Sequence, residues 1–210
     1  MEPAPATSTE NVEIADGAQP LVDAWAESLG GRDAIGKLGT VHMTGDCTIQ
    51  GRACTFESFA SPNGEVRFDL AFVDGGGFAS AFDGAIAWHR DGDVVTEGAG
   101  ADLETVRRSA FTSSFSMFFQ DRLRGSITRD GASSIAILPR DVTTPMIVRF
   151  RSDGLPVSAE SPGFRVVFGG WTEYLGVQTA STWTSGPNGT ENTFRLASID
   201  DAQGSYAKPQ

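Results

Sequence analysis

Histidine and the common catalytic motifs are scarce in this chain of 210 residues. Its two histidines, His42 and His89, have no Cys, His or Asp partner at the spacing of a metal site. No Gly-x-Ser-x-Gly elbow and no Asp-Thr-Gly or Asp-Ser-Gly motif occurs, and the glycine clusters at 75–77 and 169–170 lie between β segments. The sequence therefore predicts no metal and no cofactor, and an enzyme is only a third alternative.

Positive charge and long apolar runs are also in short supply. Lys and Arg number 16 against 27 Asp and Glu, which gives a net charge of −11. Because nucleic acids and anionic membranes select basic patches, this balance argues against both partners.

No stretch approaches the ~20 apolar residues of a transmembrane helix. The start of the chain lacks the basic and apolar parts of a signal peptide. Residues 1–17 are typical of a flexible tail, such as one left after removal of a signal or lipid-anchor segment.

What the chain has in abundance is β periodicity. It contains 25 glycines and 40% hydrophobic residues, and apolar and polar residues alternate between turn signals over most of its length. This pattern predicts a mainly β protein with a few helices, in which ten or eleven short strands follow one another in meander order. Such a single antiparallel sheet twists and curls into an incomplete, half-open β-barrel. We expect one domain over residues 18–200 and a C-terminal tail or linker over 201–210.

The two cysteines fall within the first predicted hairpin. Strands over 41–49 and 52–60, joined by a two-residue turn at Gln50-Gly51, would place Cys47 directly opposite Cys54. A disulfide closing a loop of about eight residues would stabilise the fold by roughly 2.5 kcal/mol. The alternative is a pair of buried free thiols. We favour the disulfide, which would imply an oxidising compartment.

One Phe-rich helix interrupts the β pattern. In the stretch from Leu103 to Phe119 the apolar residues recur at steps of three and four, the helical period. A shorter helix is predicted from Pro20 to Leu29. Among so many strands, the Phe-rich helix must lie across the sheet. It is either the hydrophobic plug of a small β domain or a lid over a cavity for apolar ligands.

Three stretches resemble one protein family. The segment from Trp25 to Ala34 resembles the opening Leu-Gly-Gly helix of outer-membrane lipoprotein-sorting, or LolA/LolB-like, domains. The segment from Phe82 to Trp88 resembles their Asp-Gly…Trp hairpin, and that from Asp153 to Val157 their Gly-Leu-Pro turn. The resemblance implies an incomplete barrel with a helical lid, located in the bacterial periplasm and binding acyl chains. Similar domains also precede retropepsin-like aspartic protease domains, and the segment from Ser205 to Gln210 resembles the linker between the two.

The leading hypothesis is a non-enzymatic, carrier-like domain that holds the acyl chains of a lipid or lipoprotein in an apolar concavity. The alternative is a non-catalytic accessory or interaction domain with a fully packed core, for example in front of a retropepsin-like protease. The alternation of each strand identifies residues that share a face, but not which face is hollow. The candidate lining residues are Phe56, Phe68, Leu70, Phe72, Trp88, Val148, Phe150, Val166 and Phe168, and the candidate lid residues are Phe111, Phe115 and Phe118.

Overall fold

The structure is a computed structural model that describes residues 12–119, 121–201 and 206. Residues 1–11 of the predicted N-terminal tail lie outside the described residues, as does most of the C-terminal tail or linker predicted over 201–210. Residues 12–17 are not simply a tail, because Val12 is buried and the next two residues pair with the sheet.

The described residues form one large curled sheet of fourteen strands that is not closed into a barrel. Its spatial order is β1-β8-β9-β10-β11-β12-β13-β14-β2-β3-β4-β5-β6-β7, so β1 and β7 are its edges. Only β1 and β8 pair in parallel, and the other pairs are antiparallel. The strands are β1 (Glu13–Ile14), β2 (Val41–Ile49), β3 (Arg52–Ala60), β4 (Val66–Phe72), β5 (Gly77–Phe82), β6 (Ala87–Asp91), β7 (Val94–Glu97), β8 (Gly125–Gly131), β9 (Ser134–Pro139), β10 (Met146–Phe150), β11 (Pro156–Ser161), β12 (Phe164–Tyr174), β13 (Val177–Gly186) and β14 (Asn192–Asp201).

The predicted fold class is confirmed, with two differences in detail. The sheet has more strands than the ten or eleven predicted, partly because the short edge strand β1 carries too few residues to show a periodicity. The segments around Phe168 and Trp171, predicted as two strands, belong to the single strand β12. Its register shifts at Gly170, on both sides of that residue, which interrupts the alternation without ending the strand.

The β2–β3 hairpin has the predicted register. Cys47 pairs with Cys54, and the turn residues Gln50 and Gly51 both have positive φ, at 50° and 82°. Two consecutive positive φ values are typical of the tight turn whose twist matches that of the flanking strands. The predicted disulfide is confirmed, and it joins Cα atoms 4.8 Å apart.

The helices are α1 (Gln19–Ser28), α2 (Arg32–Gly36) and α3 (Ala101–Ser113), followed by a 3₁₀ helix at Ser116–Phe118. The predicted Phe-rich helix therefore ends as an α-helix earlier than expected. Its end is set by Phe115, whose φ of 54° lies in the left-handed region and cannot continue a right-handed helix. Ser114 assists this ending, because its hydroxyl donates to the Ala110 carbonyl oxygen at 2.7 Å and so competes with the helical pattern.

Polar side chains fasten α3 to the loop between β9 and β10. Glu104 and Arg108 form an i,i+4 ion pair at 2.9 Å, and the Thr143 hydroxyl donates to the Glu104 carboxylate at 2.8 Å. The Arg108 guanidinium also donates to the Thr144 carbonyl oxygen at 3.2 Å. The hydrogen bond from Thr143, helped by the charge of Arg108, holds the pKa of Glu104 below its ordinary value.

This lowered pKa predicts a pH dependence of stability. The contribution of the Glu104 carboxylate is fully present above its unfolded-state pKa and is lost as the pH falls through the lower pKa of the folded state. We expect Glu104→Gln to lower the melting temperature at neutral pH. The difference from the wild type should shrink as the pH falls through the acid range. Asp102→Asn, which changes an exposed carboxylate in the same helical turn, is the control. An equal effect of both variants at neutral pH would contradict this role of Glu104.

Candidate functional site

The three helices lie on the hollow side of the sheet. Helix α3 contacts β4 and β5 and also contacts β9, although these strands are far apart in the order of the sheet. A single helix can touch both regions only if the sheet curls around it. Cross-strand partners in an antiparallel sheet share a face, so the register identifies which other side chains point into the same hollow.

One end of the hollow is filled. Its side chains pack between α1, α2, the 3₁₀ helix and strands β8–β10. Phe111 and Met117 are buried there, and Phe118 lies edge-on to Trp25 with ring centroids 5.2 Å apart. Trp25 also contacts Phe150 on β10, again at 5.2 Å. This end of the hollow is packed like an ordinary protein core.

The rest of the hollow has a different character, because its aromatic rings form a continuous surface. We call this surface the aromatic floor and define it as Phe56, Phe68, Phe78, Trp183 and Phe194. Ring centroids are 5.2 Å apart for Trp183 and Phe194, 5.3 Å for Phe56 and Trp183, 6.0 Å for Phe56 and Phe68, and 6.1 Å for Phe68 and Phe78. The disulfide and Leu70 pack against these rings.

No helix residue belongs to this cluster in the part of the chain that the structure describes. Helix α3 packs nearby, against Ala60, Val66, Phe82 and Ala87 at the ends of β3, β4, β5 and β6. Phe68 and Trp183 are consequently only half-buried, and Phe78 is 39% exposed. The floor is thus an apolar, concave surface that solvent reaches.

Most of the predicted lining and lid residues do face the hollow, but they divide between its two regions. Phe56 and Phe68 belong to the floor, and Leu70 and Phe72 pack with it. Val148, Phe150, Phe111 and Phe118 lie in the filled end, with the half-buried Phe115 packed against it. Val166 and Phe168 are half-buried on β12, where Phe168 pairs with Trp183.

Trp88 does not line the hollow, contrary to the expectation from sequence. Trp88 pairs with Ala81, and Ala81 also pairs with Arg67, so these three side chains point to one face of the sheet. Phe68 and Phe82 are the next residues along their strands and therefore point to the opposite face, which is the hollow one. Trp88 therefore lies on the outer face, where it is fully buried. Its indole N–H donates to the carbonyl oxygen of Tyr206 at 2.8 Å. The tryptophan is covered by a residue distant in sequence, which no local pattern shows.

Three floor residues, Phe78, Trp183 and Phe194, were missing from the predicted lining. Phe78 pairs with Leu70 across β4 and β5. Trp183 and Phe194 lie on strands that the alternation identifies, but their place beside Phe56 depends on the pairing of β14 with β2. These strands are separated by most of the chain, and no hairpin joins them. Cys47 pairs with both Cys54 and Phe194, so Phe194 reaches the floor only through this long-range strand pairing.

Two concavities border these surfaces. One, of about 520 Å³, lies over β12, β13, β14 and β2, and its lining includes Thr48, Thr182, Thr184 and Thr193 together with Cys47, Trp183 and Phe194. Because these threonines alternate with Trp183 and Phe194, they belong to the outer face. The other, of about 260 Å³, adjoins the filled end of the hollow and is lined by Val12, Ile14, Gln19, Arg32, Met117, Phe118 and Phe119.

The described residues show no constellation of metal ligands and no helix long and apolar enough to cross a membrane. His42 is engaged through both ring nitrogens, by Asp200 at 2.8 Å and by Glu57 at 2.9 Å. It stacks on Phe59, with ring centroids 4.4 Å apart. These contacts hold β14, β2 and β3 together on the face opposite the floor.

No family model and no curated protein sequence matches this chain. Solved structures do match its fold. An outer-membrane lipoprotein-sorting protein domain from Vibrio parahaemolyticus has a TM-score of 0.53 and 14% identity, with 87% of this chain and 92% of that one covered. A LolA superfamily protein from Nitrosomonas europaea has a TM-score of 0.52 and 11% identity, covering 92% and 99%. A DUF1329 family protein from Desulfovibrio piger has a TM-score of 0.50 and 11% identity, covering 88% and 93%.

At these identities the comparisons concern the fold alone, and the predicted association with retropepsin-like proteases stays a prediction. The half-open sheet, the helices within its hollow and the agreement over nearly the whole length of these structures point the same way: this chain has the fold of the LolA superfamily and the outer-membrane lipoprotein-sorting domains.

Proposed function

We propose that this protein is a non-enzymatic carrier that binds the acyl chains of a lipid or lipoprotein on the aromatic floor, with α3 and the 3₁₀ helix beside them as a lid. The observation that carries the proposal is the cluster of mutually touching rings that no described helix covers. Half-exposed aromatic rings on a concave face offer a large apolar contact area. A flexible hydrocarbon chain suits such a surface, because neither partner needs a polar counterpart.

The energies involved support binding that is reversible. Burying a chain of about fourteen methylenes contributes on the order of 11 kcal/mol, at ~0.8 kcal/mol each. Immobilising the chain and the protein costs an amount of similar order, from about 4 to 15 kcal/mol. The net affinity is then moderate, as a carrier that must release its ligand requires.

Two further observations agree with this proposal. One of the similar structures is an outer-membrane lipoprotein-sorting protein domain, and another is a LolA superfamily protein. The disulfide fits an exported protein, since such bonds persist in oxidising compartments. Both observations support our proposal that the carrier works in the periplasm.

A second candidate is a non-catalytic accessory or interaction domain, and the filled end of the hollow favours it. Phe111 is fully buried and Phe118 is 5% exposed, so these two predicted lid residues already occupy the space beneath the helices. If side chains filled the whole hollow as they fill this end, no ligand would be needed to cover its apolar surface. Extraction of the purified protein with organic solvent, followed by mass spectrometry, separates the candidates. Co-purified acyl lipid supports the carrier.

A substitution on the floor tests the proposal directly. We expect Phe78→Asp to weaken the binding of a fluorescent fatty acid at least tenfold, because it places a carboxylate on the apolar surface. Phe78 is 39% exposed, so the folded state should tolerate the change. The readout is the titration of probe fluorescence with wild-type and variant protein.

Phe164→Asp is the matched control. Phe164 is 43% exposed, also lies on a β-strand, and sits outside the ring contacts of the floor. It should bind the probe as the wild type does. Equal loss in both variants would point to a general effect of charge. If the wild type itself bound no probe and carried no lipid, the carrier proposal would be ruled out.

A further inference from the structure

The filled end of the hollow contains a hydrogen-bond donor without an acceptor. Trp25 on α1 is only 7% exposed, and its indole nitrogen Nε1 is buried with no partner among the described residues. A buried donor left unpaired loses its hydration without compensation, and such groups are rare in folded proteins. An orphan donor therefore requires an explanation.

Its position relates this donor to the proposed ligand. The Trp25 ring lies between Phe118 of the 3₁₀ helix and Phe150 of β10, each with a centroid distance of 5.2 Å. The Phe118 ring also lines the concavity of about 260 Å³, so the same residue contacts both this space and the Trp25 ring. A ligand in the concavity that displaces the Phe118 ring would come within reach of Trp25.

The lining of this concavity is amphiphilic. Val12, Ile14, Met117 and Phe119 supply apolar surface, whereas Arg32 and Gln19 supply polar groups. The Arg32 guanidinium is already engaged, because it donates to the Phe118 carbonyl oxygen and pairs with Asp23 at 2.9 Å. Among the described residues at this end of the hollow, the indole N–H is the buried side-chain donor that has no acceptor.

Building on the proposed carrier function, we propose that Trp25 Nε1–H donates a hydrogen bond to the ester or amide carbonyl of the bound acyl chain, which enters by displacing Phe118. The site thereby recognises acylated molecules rather than hydrocarbon in general. Trp25 positions the carbonyl, and the chain beyond it extends over the apolar surface of the hollow. The linkage through which a fatty acyl group is attached to a lipid or to a protein carries this acceptor.

The neutrality of the site decides between a carbonyl and a free carboxylate. A single N–H donor satisfies one acceptor lone pair, but it does not compensate the burial of a full negative charge. The rings in contact with Trp25, those of Phe118 and Phe150, are apolar, and the Arg32 guanidinium, which lies over the Phe118 ring, already pairs with Asp23. An ester or amide carbonyl accepts the bond without this electrostatic penalty.

A pair of ligands that differ only in the carbonyl tests the inference. The probes are 1-lauroylglycerol, an ester, and 1-dodecylglycerol, its ether analogue, which has the same headgroup and chain length. Each is titrated by calorimetry into the wild type, Trp25→Phe and Trp171→Phe. We expect the wild type to bind the ester about tenfold more tightly than the ether, since one buried hydrogen bond has this magnitude.

The two variants should respond differently. Trp25→Phe keeps an aromatic ring and removes the N–H, so it should bind both probes alike. Trp171→Phe removes the indole N–H of a half-buried tryptophan that packs against the filled end from β12, and it should keep the ester preference. The comparison of ester with ether binding in the wild type needs no variant, so it tests the inference even if Trp25→Phe folds poorly.

Each failure has a distinct meaning. If the wild type binds ester and ether equally, the inference is wrong and the carrier proposal stands. The same conclusion follows if Trp25→Phe keeps the ester preference. If the wild type binds neither probe nor the fluorescent fatty acid, the carrier proposal and this inference fall together.

Discussion

Replacing Phe111 by alanine is expected to cost about 3–5 kcal/mol of unfolding free energy, the range observed when a buried phenylalanine is truncated in a packed core. Phe111 is fully buried and connects α3 to the filled end of the hollow. Its ring lies against Gly125, so closely that a Cβ at that position would be 2.9 Å from it. The neighbouring backbone cannot easily close the cavity, because α3 is also fastened through Glu104 and Arg108.

Phe115→Ala is the matched control for this prediction. Phe115 lies one helical turn further along the same segment, but it is half-buried and stacks on Phe118 with ring centroids 6.3 Å apart. We expect Phe115→Ala to cost only roughly 1 kcal/mol of unfolding free energy, because truncating a half-buried ring removes less buried apolar surface than truncating a fully buried one. Urea unfolding followed by circular dichroism measures both values. Similar losses in the two variants would mean that α3 is not anchored by Phe111.

Several features of the fold follow from local sequence alone. Alternation in β2 and β3, with a two-residue turn, was enough to give the cross-strand register and hence the disulfide. The three-and-four spacing in α3 gave the helix and the buried Phe111. In each case the residues that decide the structure are near neighbours in the chain, so their pattern expresses the geometry directly.

The features that were not predicted depend on contacts between distant parts of the chain. The aromatic floor is completed by Phe194, which reaches Phe56 only because β14 pairs with β2. Trp88 is buried on the outer face, where its indole N–H donates to the carbonyl oxygen of Tyr206, a residue distant in sequence, and the Arg67 guanidinium lies over its ring. The left-handed conformation of Phe115 is unusual for a bulky residue, so sequence propensity favours the uninterrupted helix instead.

The structure also joins the two interpretations of the Phe-rich helix. At the filled end, Phe111 and Phe118 behave as a plug. Over the floor, no described helix provides cover, and Phe68, Phe78 and Trp183 remain accessible. A hollow that is filled at one end and open at the other gains its stability mainly from the first region, and its apolar binding surface from the second. Substitutions on the floor should therefore affect the binding of the hydrocarbon chain more than stability, whereas the carbonyl contact proposed for Trp25 belongs to the filled end.

The disulfide lies in the open region and still has a large expected effect on stability. The double substitution Cys47→Ala and Cys54→Ala should cost about 2.5 kcal/mol from the loss of the cross-link alone. A further loss is expected because both side chains are buried, at 6% and 3% exposure, and pack against the rings of Phe56 and Phe194. Guanidinium unfolding of the oxidised wild type and the double variant measures the difference.

Reduction of the wild type separates the cross-link from the packing. Dithiothreitol removes the bond but keeps both sulfur atoms, so the reduced protein should fall between the oxidised wild type and the double variant. The unfolded double variant lacks the constraint on its β2–β3 loop, so a larger unfolding slope is expected as well. If dithiothreitol leaves the unfolding midpoint unchanged, the register of β2 and β3 is maintained by strand pairing and ring packing, and the cross-link adds nothing to it.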